Sequence, residues 1–408
     1  MKALEQQFAR VLAVLSRTTN LLIFALVLAA SFSATQAANA QTFHLVYQFK
    51  SGNDGSQPSA SLIRDSKGNL YGTTYIDGAY SYGTVFKVSP TGKETVLHSF
   101  TGTGGDGAFP VSPLVRDAAG NVYGTTVYGG IYGGNCRGNG CGIVFKVSPA
   151  GKETVLHQFT GTAGDGQNPW QGVVRDSAGN LYGTTYSGGT YGWGTVFKLD
   201  TTGKETVLYS FGATNVDGVY PYTGSLIRDS AGNLYGTTLS DFVQGAGTVF
   251  KLDPSGTETI LHTFTFSTED GNSPVGPLVR DTAGNLYGVT NLGGTFGYGT
   301  VFKVDASNSE TVLYNFSGAG GDGADPGGGL VRDRAGNLYS TTTSGGGSYF
   351  GTVFKLNANG TETIMHSFSG SDGQLPAMGL VRDSKGNLYG TTVYGGAHGG
   401  GVIFKITP

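Results

Sequence analysis

The stretch "TFHLVYQF", residues 42–49, has the form of a closing strand with nothing in front of it to close. Its pattern returns as "ETVLHSF" at residues 94–100, there at the end of a long repeated unit, and again in strands ending at Phe159, Phe211, Phe264, Phe316 and Phe368. Outward from these strands, "GNLYGTT" at residues 68–74 recurs with its Asn at Asn69, Asn121, Asn180, Asn233, Asn285, Asn337 and Asn387. The spacing runs from 50 residues (Asn337 to Asn387) to 59 (Asn121 to Asn180), a propeller-blade period. One unit reads as four short strands, "SLIRD", "LYGTTY", "GTVFKVS" and "ETVLHSF", rich in β-branched and aromatic residues and punctuated by Gly, Pro and Asn.

The count of strands settles the topology. The last unit stops after its third strand, "GVIFKITP" at residues 401–408, so the leftover strand at residues 42–49 supplies the missing fourth. The expected fold is all-β: a seven-bladed β-propeller of four-stranded blades, closed by residues 42–49 pairing with 401–408. A β-helical solenoid would leave two open edges to cap and would explain neither the offset nor the single spare strand. The Gly of "LYGTT", replaced once by Ser340, is expected where neighbouring blades crowd each other.

Composition narrows the function classes. Glycine supplies 71 of 408 residues without a G-X-Y period, which suits tight turns rather than collagen. A net charge of -3 gives no reason to expect nucleic acid or an anionic membrane as partner. Lys2, Arg10 and Arg17, the short apolar run at residues 21–32 and "ANA" at residues 38–40 read as a secretory signal over residues 1–40, cleaved to leave residues 41–408 as a single domain. No later segment is apolar enough to span a membrane, so a secreted, periplasmic or cell-surface monomer is expected.

The three motifs "GNLYGTT", "GTVFKV" and "ETVLHSF", recurring in order over residues 42–408, resemble the bacterial Gloeobacter–Verrucomicrobia ("GloVer") tandem repeat. More loosely, "LVRDSAGNLYGTT" is similar to the inner strands of NHL-type propeller repeats. The resemblance implies an extracytoplasmic protein, often followed by a sorting or anchoring segment, and it implies no catalytic residues. The chain departs from that pattern in ending at Pro408 without an apolar tail.

Reactive residues are mostly periodic, and periodic residues serve the fold. Twenty of the 28 acidic residues are repeat positions: the Asp after each Arg, the Asp of each "DGxxP" and the Glu opening six fourth strands. The seven Arg of "RD" are expected to pair with neighbouring Asp and hold blades in register, with an anion-attracting ring as the alternative. Each "DGxxP" reads as a turn with positive φ at Asp-Gly, or alternatively as part of a cation-binding ring at the channel mouth. His98, His157, His262 and His366 share a position with Tyr47, Tyr209 and Tyr314, which asks for a flat, partly polar ring and not a metal ligand. No catalytic residue, metal or cofactor is expected.

Departures from the repeat carry the functional signal. Cys136 and Cys141 arrive in a loop insertion and are expected to form a disulfide worth about 2 kcal/mol. Trp170 and Trp193 both belong to the third repeat, and with Phe109, Tyr132, Tyr191 and Tyr220 they fall on the face carrying the "DGxxP" and Gly/Tyr-rich loops. Aromatic rings among Gly and Asp suit a glycan or protein ligand. The function read from the sequence is therefore a non-catalytic binding or scaffold propeller. The alternatives are a polysaccharide lyase or hydrolase with its site at the channel mouth, and a purely structural envelope component.

Overall fold

Alternation along "TVFKV" and "ETVLHS" sends Val, Phe and Leu inward from a sheet whose two faces both pack on other sheets, so every blade needs neighbours. The computed structural model describes residues 41–408 apart from positions 134, 137, 163, 215 and 223. The segment read as a signal, 1–40, lies outside the described residues. The first blade is an antiparallel sheet of Ile63–Arg64, Leu70–Thr74, Thr84–Val88 and Glu94–Ser99. Five further blades repeat it, and the seventh is built from Val381–Arg382, Leu388–Thr392, Val402–Thr407 and, at its outer edge, Thr42–Gln48. The fold is thus a seven-bladed β-propeller. The closing strand ends one residue earlier than the sequence suggested, because the Phe49 amide turns to the Gly401 carbonyl at 3.0 Å. Among the described residues, no helix is long and apolar enough to cross a membrane.

Seven hydrophobic clusters, each shared by two adjacent blades, form the core. One joins Phe49 and Ile403 of the seventh blade to Leu62 and Phe86 of the first, which makes the ring continuous. At every junction a fully buried Phe after the fourth strand meets a Phe of the next blade's third strand edge-on. Centroids lie 5.1 Å apart for Phe49 and Phe86 and 5.2 Å for Phe368 and Phe404. Such pairs add to burial by about 1 kcal/mol each. The Gly of "LYGTT" is crowded from within its own blade, not by its neighbour: a Cβ on Gly72 would come 2.7 Å from Phe86 and 3.0 Å from Leu62. Ser340 fits because its hydroxyl donates to the Gly328 carbonyl at 2.8 Å.

The Arg-Asp repeat works differently from the expected ion pair. Each Asp is occupied inside its own blade. Asp65 accepts from the Asn69 amide at 2.9 Å, from Asn69 Nδ2 at 2.8 Å and from the Tyr71 hydroxyl at 3.1 Å. Burial alone would raise the Asp65 carboxyl, but these hydrogen bonds outweigh it and hold it below its ordinary range. Each Arg instead lies over the corresponding Tyr of the preceding blade. Arg64 sits 5.6 Å from the Tyr389 ring, Arg116 5.7 Å from Tyr71, and Arg332 5.4 Å from Tyr287. Register between blades is therefore held by cation–π contacts of about 0.5–1 kcal/mol each at exposed sites.

Candidate functional site

The "DGxxP" turns and the loops between second and third strands share one face, as the up-and-down strand order requires. The positive φ falls on the residue before Pro rather than on Asp-Gly in most blades: Gln57, Phe109, Asn168, Tyr220, Ser273, Asp325 and Leu375 have φ between 55° and 59°. Gly271 is needed for space, since a Cβ there would lie 2.2 Å from Thr290 Oγ1. The pre-proline residue is secured by a hydrogen bond to the previous blade. Phe109 N–H donates to the Tyr82 carbonyl at 2.9 Å, and Tyr220 N–H to the Trp193 carbonyl at 3.0 Å. A costly backbone conformation is thus locked by the ring while the side chain is left free to vary.

The residue after each Pro lines the axial opening: Ser59, Val111, Trp170, Tyr222, Val275, Gly327 and Ala377. Two large rings stand on one side of the mouth and the smallest residues on the other, which leaves a cleft of about 290 Å³. Trp170 and Tyr222 meet edge-on at 5.1 Å, and Gln171 Nε2 donates to the Tyr222 carbonyl at 2.6 Å. Among the described residues, no acid, His or Lys lines this mouth. From Tyr222 the rings continue outward: Tyr186 at 5.5 Å, then Tyr220 stacked on Tyr186 at 4.6 Å, Trp193 at 5.0 Å and Phe242 at 5.2 Å. On the other side, Tyr128 lies 6.5 Å from Trp170 and 6.0 Å from Phe109. Burial, then its Tyr neighbours, pushes the Tyr222 hydroxyl above its ordinary value.

Of the candidates read from the sequence, Trp170, Phe109, Tyr220 and Trp193 join this aromatic track. Tyr191 and Tyr132 do not. Tyr191 is exposed and lines a separate polar cleft of about 700 Å³ beside the loop in which Cys136 is bonded to Cys141. Tyr132 donates its hydroxyl to the Gly102 carbonyl. Tyr222 and Tyr186 were not among the candidates. The available signal was the alternation in "YPYTG", which sends Tyr220 and Tyr222 to different parts of one surface.

A second constellation sits between the outer strands, away from the channel. The Asp of "DGxxP" points one carboxylate oxygen at the loop, as Asp106 does in accepting from Thr101 N–H at 2.7 Å. In the His blades its other oxygen faces the imidazole, and in the Tyr209 blade the oxygen that holds the loop also accepts from the phenol, so these Asp turn toward the outer strands and not the channel mouth. The Glu opening the next blade's fourth strand completes a trio. Where the ring is Tyr, its hydroxyl fills the centre: Tyr209 donates to Asp217 at 3.1 Å and contacts Glu258 at 3.3 Å. Where the ring is His, the shorter side chain stops short. His98 Nε2 lies 3.5 Å from Asp106 and 3.9 Å from Glu153, and His157 Nε2 lies 3.7 Å from Asp165. Burial, reinforced by the neighbouring Asp, pushes Glu153 and Glu205 up to about 7 and Glu258 to about 8.

The comparisons with known proteins bear on the repeat and the fold. The Gloeobacter/Verrucomicrobia repeat matches residues 31–164, 131–334 and 311–408. The chain belongs to the Gloeobacter/Verrucomicrobia repeat family. No curated protein matches it. Among solved structures, this family member is similar to the extracellular domain of a protein described as a hybrid two-component system of B. thetaiotaomicron, at 15% identity over 90% of this chain and a TM-score of 0.57. The extracellular domain of a one-component system of the same organism matches at 12% identity over 89% of this chain, with a TM-score of 0.56. The chain spans only 41% and 40% of those two proteins, and the likeness is one of fold.

Proposed function

We propose that this repeat protein acts outside the cytoplasm as a non-catalytic binding propeller and that its ligand is a glycan seated at the axial mouth. The observation that carries the reading is the asymmetry of that mouth, with Trp170 and Tyr222 facing Gly327 and Ala377. An aromatic wall opposite a bare backbone admits the flat, partly apolar face of a sugar ring, and hydroxyls and backbone groups nearby offer hydrogen bonds. The fold likeness to extracellular sensor domains supports the location. A glycan array, followed by titration with the best hit and tryptophan fluorescence, tests this. Trp170→Ala should weaken binding at least tenfold with an unchanged melting temperature. An array with no hits, or a Trp170→Ala protein that binds as the wild type does, would sink it.

A further inference from the structure

Three junctions, among the described residues, leave the imidazole at the His/Tyr position without a hydrogen-bond partner. The Nε2 atoms of His98, His157 and His262 are buried without a hydrogen-bond partner, and so are the second carboxylate oxygens of Asp165 and Asp270 and one oxygen each of Glu153, Glu205 and Glu310. Asp270 is only 8% exposed, and its orphan oxygen points into the trio it forms with His262 and Glu310. Buried polar atoms are nearly always paired, because each orphan costs roughly 1–3 kcal/mol. Carboxylate orphans also occur at the Tyr junctions, on Glu94, Asp217, Glu258, Asp322 and Glu362, so what sets the three His junctions apart is the unpaired Nε2 that recurs beside them.

In each trio one His nitrogen and two carboxylate oxygens lie within 4.8 Å of one another. We propose that His98/Asp106/Glu153, His157/Asp165/Glu205 and His262/Asp270/Glu310 each bind a divalent transition-metal ion of the zinc type. Zinc takes imidazole nitrogen at 2.0–2.1 Å and carboxylate oxygen at 2.0–2.2 Å in tetrahedral geometry, which places neighbouring ligand atoms roughly 3.4 Å apart. His98 Nε2 to Asp106 at 3.5 Å and to Glu153 at 3.9 Å already approaches that spacing, as does His262 Nε2 to Asp270 at 3.5 Å. A neutral imidazole with two carboxylates carries two negative charges, which a divalent cation balances. The Tyr junctions are the internal control: there a hydroxyl occupies the centre, and that of Tyr209 donates to Asp217 at 3.1 Å and lies 3.3 Å from Glu258. An imidazole in place of a phenol thus converts a hydrogen-bonded junction into a three-donor site, with water completing the coordination.

The test uses the chelator-treated protein titrated with zinc chloride, read by calorimetry and by metal content after dialysis. Three equivalents are expected, with a rise in melting temperature, and cobalt substitution should give a tetrahedral visible spectrum. His98→Tyr, His157→Tyr and His262→Tyr each copy a residue the fold already uses at this position, so they should fold and remove one equivalent apiece. Glu153→Gln, Glu205→Gln and Glu310→Gln provide a second set and should each weaken one site at least tenfold. Less than one equivalent bound by the wild type, or a triple His→Tyr protein that still binds three, overturns the proposal.

Discussion

Six junctions of the ring and the one between its last two blades solve the same problem with different chemistry. In six, a Glu from the following blade faces a His or Tyr and an Asp, so polar groups bridge the outer strands. At the last, the strand from the other end of the chain brings Phe43 to the position of that Glu. Its ring stacks on His366 with centroids 3.9 Å apart and planes within 10°, and packs near Phe368 and Phe404. His366 then reaches Asp372 at 2.9 Å, closer than any other His of the ring comes to its Asp. Burial under Phe43 holds the His366 imidazole below its ordinary value, against the pull of Asp372. The difference shows that a junction can close without the polar trio, whereas every junction carries a fourth strand. Where the two ends of the chain meet, apolar contact does the work.

Removing residues 42–49 should have the largest effect. It strips the outer strand from the last blade, withdraws the buried Phe49 and leaves Val402–Thr407 as an open edge, so cooperative melting should disappear. A deletion protein that melts like the wild type would break the comparison. Next comes Phe43→Ala, expected to cost about 2–3 kcal/mol because the side chain is only partly buried, measured by denaturant unfolding. Phe43→Glu sharpens the comparison further: it recreates with His366 and Asp372 the trio of the other junctions, and zinc capacity should rise from three equivalents to four.

Smaller still is the response of the metal-free protein to pH. Glu94, Glu153, Glu205, Glu310 and Glu362 are pushed up to about 7 and Glu258 to about 8, first by burial. The folded chain therefore holds protons that the unfolded chain has released, and stability should fall as pH rises from roughly 4.5 to 8. The Asp of the "RD" repeats act in the opposite sense, because they are held low and lose their contribution only below their ordinary range, near pH 4. Melting should thus occur at a higher temperature at pH 5.5 than at pH 8.5. A curve that is flat or rises over that interval would mean the glutamates are ionised in the fold.

Strand order, blade count and the closing pair were legible because each rests on period and chain arithmetic, and the repeated Asn positions supply both. The Arg role was half legible: register-holding followed from repetition, but the partner did not. "RDxxGNxY" places Asp and Tyr in one blade, and only the packing of blades shows Arg116 over Tyr71 of the blade before. The His/Tyr exchange was read as an argument against ligand chemistry for the same reason. Glu153 follows His98 by a whole blade in sequence, so the trio is invisible until the blades are set side by side. At the mouth, Trp170 stood out because tryptophan is rare in this chain. Tyr222 did not, because 22 tyrosines hide it.

The pre-proline position has a consequence for how such a protein changes over time. Its backbone is pinned by a hydrogen bond to the preceding blade, so its conformation is inherited with the repeat whatever residue stands there. Gln, Phe, Asn, Tyr, Ser, Asp and Leu all occupy it in this one chain. Duplication of a blade therefore copies a socket, and point substitution rewrites what the socket displays without reopening the folding problem. A repertoire of surfaces becomes reachable in single steps among residues that tolerate a positive φ.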